Sequence, residues 1–139
     1  MSEPYTKMLP GISNLNRPYW EGLRRHVLTM PRCDDCGLIW YAPSPWCPKC
    51  HSRNFKWVEL TGKGIVNAWS ELKGTHATLL GAPTDGLPDN AVEITLEEGP
   101  RLISNLVGVE PGEIRTGMPV TVVFDDVAED LTLARFKPA

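Results

Sequence analysis

Every cysteine of this 139-residue chain lies between residues 33 and 50, in CDDCGLIWYAPSPWCPKC. Cys33, Cys36, Cys47 and Cys50 follow the spacing C-x2-C-x10-C-x2-C. Thiols placed this way can staple a secreted domain, hold a redox iron, support a nucleic-acid reader or fold a structural zinc knuckle. Each CxxC turn offers a pair of thiolates, and four sulfurs at about 2.3 Å complete a tetrahedral zinc shell. Gly37, just after the second cysteine, supplies the positive φ that a tight metal knuckle uses. Four thiolates also suit iron, but the ten-residue insert matches a short ribbon better than an electron carrier. The expected cofactor is one structural zinc per chain. With all four positions taken by sulfur, no water can bind and no Lewis-acid chemistry follows.

The rest of the chain offers little catalytic chemistry. There is no G-x-S-x-G, no P-loop and no G-x-G-x-x-G. Once the cysteines are spent on metal, no thiol remains as a nucleophile. His26, His51 and His76 stand apart in the sequence and read as helix-end or solvated side chains. The acidic pairs Asp125-Asp126 and Glu129-Asp130 read as a solvated turn. The chain is not expected to be an enzyme by itself.

The elements that carry these residues differ in texture. The run NRPYWEGLRRHVL from Asn16 reads as a short helix, with Asn16 as cap, Pro18 in the first turn, and Trp20, Leu23 and Val27 on one face. In the cysteine module only Leu38 to Tyr41 and Phe55 to Glu59 look extended. Beyond Gly62, residues 64–72, 91–97, 101–109, 118–125 and 131–136 read as strands bounded by Gly, Pro or acidic turns. Glu98-Gly99-Pro100-Arg101 is a tight hairpin, and a helical turn runs from Pro111 to Gly117. Five strands with a short helical element after the third is the order of an OB-fold barrel. The fold class is therefore mainly β: an arm and helix (1–29), a four-cysteine zinc ribbon (30–58) and a five-stranded OB-fold barrel (59–139). The connection 73–90, KGTHATLLGAPTDGLPDN, is long enough to carry function.

Charge narrows the partners. Residues 1–58 hold eight Lys and Arg against four Asp and Glu, a formal +4. Residues 59–139 hold six against thirteen, a formal −7. Zinc ribbons and OB-folds both serve single-stranded nucleic acids, but such binders need a basic groove and this barrel half is acidic. The N-terminal residues lack the pattern of a signal peptide, and no run of about 18 apolar residues exists to span a membrane. A cytoplasmic protein is expected, where disulfides are rare.

Pro-Tyr-Trp-Glu-Gly (18–22), the ribbon, Gly-Lys-Gly-Ile-Val (62–66), Gly-Pro-Arg-Leu-Ile-Ser-Asn-Leu-Val-Gly (99–108) and Ile-Arg-Thr-Gly-Met-Pro-Val (114–120) together resemble an acyl-CoA-associated family. Its members join a rubredoxin-like zinc ribbon to an OB-fold, and the likeness runs from Asn16 to Pro138. The resemblance implies a non-catalytic partner of a thiolase-superfamily enzyme, or of a hydratase or aldolase handling acyl-CoA. Such a partner stabilises the enzyme and helps shape its acyl-CoA site. Where many relatives have Pro-Pro-Arg before the third cysteine, this chain has Ala42-Pro43-Ser44, so a phosphate contact by that arginine does not carry over.

The expected docking surface is Trp40, Tyr41 and Trp46 of the ribbon with Leu79, Leu80 and Leu87 of the long connection. Trp20, Trp57 and Trp69 are expected to pack the ribbon against helix and barrel. Lys63, Lys73 and Arg101 are the candidate contacts for CoA, with Arg115, Arg135 and Lys137 the other basic groups of the barrel.

Overall fold

A computed structural model describes residues 9–71 and 90–139. Helix α1 (Arg17–Arg24) is shorter than the sequence pattern, because the chain reverses immediately after it. His26 takes a left-handed φ of 59°. Its N–H donates to the Leu23 carbonyl and that of Val27 to the Gly22 carbonyl, the paired bonds of a Schellman stop. The buried face is consequently Tyr19, Gly22 and Leu23, not Trp20, Leu23 and Val27. Asn16 does not cap with its side chain; that amide folds back onto Ser13 N–H and the Gly11 carbonyl. Gly22 permits a close crossing, since a Cβ there would sit 2.7 Å from Thr29 Oγ1.

Strand β1 (Leu28–Cys33) pairs antiparallel with β2 (Phe55–Leu60), from Leu28 opposite Leu60 to Cys33 opposite Phe55. The sequence pattern misses β1 because Leu28 to Pro31 are buried without alternation, removing the period-two signal. The Leu38 to Tyr41 stretch contributes a single bridge, Ile39 to Arg32.

The barrel is built from β3 (Lys63–Glu71), β4 (Asn90–Leu96), β5 (Arg101–Ser104), β6 (Pro119–Ala128) and β7 (Leu131–Pro138). Their order across the sheet is β5-β4-β3-β6-β7, with every pairing antiparallel. Along β4, Asn90, Val92, Ile94 and Leu96 point into the core, as the alternation requires. The hairpin at Gly99 forms with φ 116°. The element after β5 is a 3-10 turn, Pro111–Glu113. The third strand stops at Ser104 instead of reaching residue 109, because the chain there crosses to the far edge of the sheet. Leu106 bridges Phe136 in parallel, Phe136 N–H donates to the Asn105 carbonyl, and Val107 N–H to the Phe136 carbonyl. That link curls the sheet into an OB-like barrel around the fully buried Phe136.

One buried cluster joins Tyr19 and Leu23 of the helix, Leu28, Met30 and Leu60 of the β1–β2 ladder, and the barrel interior. No helix among the described residues is long and apolar enough to cross a membrane.

Candidate metal centre

Cys33 ends β1, and the chain then makes two knuckles before entering β2. The knuckles repeat each other bond for bond. Gly37 N–H donates to the Cys33 carbonyl at 3.0 Å, and His51 N–H to the Cys47 carbonyl at 2.9 Å. Cys33 N–H reaches Leu38 O and Cys47 N–H reaches Ser52 O, both at 2.8 Å. Gly37 has φ 77° and His51 φ 63°, so the residue after the second cysteine is left-handed in both. Sequence reasoning found the role of Gly37 and missed that of His51, which carries a Cβ where glycine is the usual signal.

The four sulfurs converge. All lie within 4.8 Å of one another, and Cys33–Cys50 and Cys36–Cys47 are each 3.5 Å apart. A disulfide needs about 2.05 Å. Four sulfurs around a central zinc stand about 3.8 Å apart, so this cage fits a tetrahedral ion. Cys33 and Cys47 are buried and Cys36 and Cys50 exposed, which places the cage at the rim of the ribbon. Backbone N–H groups of Cys36 and Lys49 point at the Cys33 and Cys47 sulfurs, both at 3.4 Å. Burial pushes the Cys47 thiol up, but the N–H groups of Cys50 and Lys49 outweigh it and bring it to about 7. At Cys50 the Ser52 N–H favours the thiolate, yet the neighbouring Cys33 thiol and burial prevail, raising it to about 12. A divalent cation relieves that crowding by holding four thiolates at once.

The aromatic residues divide differently from the sequence expectation. Trp40 is 5% exposed and buried with Cys33 and Cys47, its ring edge-on to Phe55 at 5.3 Å. It is a core residue of the ribbon, because so small a module needs one large side chain to cover its sulfurs. Tyr41 and Trp46 are exposed. Trp20 and Trp57 pack against the main core, whereas Trp69 is exposed on the barrel. Leu79, Leu80, Leu87, Lys73 and His76 lie outside the described residues.

Among the described residues the candidate basic side chains differ in setting. Lys63 is exposed, two residues along β3 from Ile65, whose cross-strand partner Thr95 also pairs with Arg101. Arg101 lies 3.7 Å from Glu93. Arg135 is withdrawn from solvent: it donates to Asp125 at 2.7 Å and to Asn105 Oδ1 at 3.1 Å, so it buttresses the barrel and is not available to a phosphate. The acidic stretch is not a solvated turn throughout, for Asp125 and Asp126 lie within β6 and each is paired.

Fold and site together define a four-cysteine ribbon joined to an OB-fold barrel. Residues 20–56 match the rubredoxin-like zinc ribbon domain of ChsH2, and residues 57–125 match the ChsH2 C-terminal OB-fold domain. The chain is 33% identical over 116 residues to a DUF35 domain-containing scaffold protein of Methanocaldococcus jannaschii, covering 80% of this chain and 77% of that one. It belongs to this ChsH2/DUF35 family. It is also 34% identical to a probable enoyl-CoA hydratase alpha subunit of Thermomonospora curvata, over 94% of this chain but only 39% of that longer protein. A solved chain described as Ltp2-ChsH2(DUF35) aldolase superposes with a TM-score of 0.81 at 30% identity, covering 94% of this chain and 98% of that one.

Proposed function

We propose that this protein is a cytoplasmic, zinc-containing, non-catalytic subunit of an acyl-CoA enzyme, with a thiolase-type enzyme as the first candidate partner and a hydratase or aldolase as the next. The observation that carries the reading is the likeness, over 98% of its length, to a solved chain described as Ltp2-ChsH2(DUF35) aldolase. The closed sulfur cage agrees with it, since zinc held by Cys33, Cys36, Cys47 and Cys50 folds the ribbon and leaves no open coordination position. The division into 1–29, 30–58 and 59–139 is retained as the proposed organisation, with the buried cluster shared among all three.

The proposed interface includes Tyr41 and Trp46, exposed on the ribbon, together with Leu79, Leu80 and Leu87. Lys63, Lys73 and Arg101 are retained as proposed CoA contacts at the rim of the shared site. Co-expression with co-encoded thiolase-like, aldolase and hydratase subunits tests the reading. One of them is expected to co-purify and to gain acyl-CoA turnover with this chain, while the lone chain turns over nothing. Turnover by the lone chain, abolished by a point change in it, overturns the reading; so does failure of every candidate to bind.

A further inference from the structure

The sulfur cage holds two unlike pairs of cysteines. Cys33 and Cys47, 2% and 0% exposed, share a buried cluster with Trp40, against which Leu38 and Phe55 pack. Cys36 and Cys50 are open to solvent at the rim. Hydrogen bonding divides the sulfurs in the same way. Cys33 receives the N–H groups of Cys36 and Asp35, and Cys47 those of Cys50 and Lys49. Among the described residues, Cys36 receives one backbone N–H, that of Leu38, and Cys50 one, that of Ser52. Each N–H aimed at a sulfur draws off electron density and makes it a poorer nucleophile. A bound divalent metal holds all four as thiolates, so access and hydrogen bonding rank them, not proton affinity. Each exposed sulfur also has a buried neighbour on the opposite knuckle. Cys50 stands 3.5 Å from Cys33, and Cys36 stands 3.5 Å from Cys47. An accessible thiolate poised beside a second cysteine is the arrangement of a redox-sensing thiol.

We propose that Cys36 and Cys50 are a reversible oxidation site of the metal-loaded ribbon, with hydrogen peroxide as the oxidant; the inference rests on the zinc reading above, not on the enzyme partner. The Cys50 thiolate attacks one peroxide oxygen. The O–O bond breaks, and hydroxide leaves with the electron pair and takes up a proton. Cys50 then carries S–OH. The Cys33 thiolate attacks that sulfur, an S–S bond forms, the S–O bond breaks and a second hydroxide leaves. The two thiolates have lost two electrons, and the peroxide has gained them as two waters. Cys36 and Cys47 react likewise with a second peroxide. Each bridge removes two ligands from the cage, so the first one already frees the metal. The thiols are consumed one for one, and the site adds no enzymatic turnover. Trp40 and Phe55 cover the buried pair, so Cys33 and Cys47 act on a neighbouring sulfur and not on the oxidant.

The experiment uses the zinc-loaded full chain and hydrogen peroxide, with dimedone to trap S–OH. A colorimetric chelator follows zinc release, and peptide mass spectrometry maps the cysteines. Trapping at Cys36 and Cys50 is expected to exceed that at Cys33 and Cys47 by about tenfold. Without dimedone, Cys33–Cys50 and Cys36–Cys47 bridges are expected, the first of them appearing in step with zinc release. Dithiothreitol and fresh zinc are expected to restore the cage. Trapping spread evenly over the four cysteines overturns the site. So do bridges within one knuckle, Cys33–Cys36 or Cys47–Cys50, and so does zinc retained under excess peroxide. None of these outcomes touches the proposed subunit role, which the co-expression test decides separately. A chain that purifies without zinc overturns this inference together with the metal reading.

Discussion

His26 Nε2 lies 3.0 Å from both carboxylate oxygens of Asp126, one hundred residues further along the chain. The imidazole also stacks on Phe124, with centroids 5.1 Å apart and planes 6° from parallel. His26 thus fills the left-handed stop of α1, a position suited to glycine, while its side chain ties the helix to β6. Backbone strain and side-chain bonding are opposed at one residue, and two substitutions separate them. His26→Ala keeps the strain and loses the tie; His26→Gly loses both. The glycine variant should be more stable than the alanine variant by about 1 kcal/mol, read from urea unfolding.

Asp126 supplies a pH test. Its pKa lies below the usual carboxylate value because the Thr132 hydroxyl donates to it at 2.6 Å and His26 adds a second bond. A carboxyl group held below its unfolded value contributes stability that is present above about pH 3.9 and is lost as pH falls through the lower folded value. The urea midpoint of wild type should therefore exceed that of Asp126→Asn at about pH 5. The margin should shrink as pH drops below about 4, and a margin that grew there would refute the assignment.

Cys47 is fully buried at the centre of the second knuckle. Cys47→Ser should lower zinc to less than half an equivalent in freshly purified protein, as should a strong chelator. Structural zinc contributes on the order of 10 kcal/mol to folding such small modules. Loss of the metal should expose the amides of β1 and β2 to hydrogen exchange first, with those of β4 and β6 following later.

Asn90 holds the barrel closed. Its Oδ1 accepts from Leu106 N–H at 2.8 Å, its Nδ2 donates to Leu106 O at 3.1 Å, and its own carbonyl accepts from Asn105. The side chain acts as a missing strand residue beside the Leu106–Phe136 bridge. Asn90→Leu leaves the Leu106 N–H and C=O unpaired in the interior, which should cost about 3 kcal/mol in urea unfolding.

Gly62 turns the chain from β2 into β3 at φ 78°, and a Cβ there would lie 2.2 Å from Val122 Cγ1. Gly62→Ala therefore meets both backbone strain and a clash with β6. A loss of about 2 kcal/mol or more is expected. The double change Gly62→Ala with Val122→Ala should recover part of it, because only the clash is relieved.

By itself the sequence determined the features that depend on neighbours along the chain. The cysteine spacing specified a four-sulfur ribbon, since each CxxC turn is a local structure closed by the residue after its second cysteine, Gly37 in one and His51 in the other. Alternation in 91–97 placed β4 within one residue, because one face of that strand is buried and the other is not. The succession of strands along the chain and the turn at Gly99 were legible for the same reason. What only the tertiary structure decided depends on contacts between distant segments. Strand β1 carries no period because helix and ladder bury it from both sides. Trp40 is covered, and Trp69 left bare, by packing that composition does not encode. His26 meets Asp126, and Arg135 is withdrawn onto Asp125 and Asn105, only once the barrel has closed. Residue type fixed what each of these groups could bond, and the closure of the sheet decided which bond each one makes.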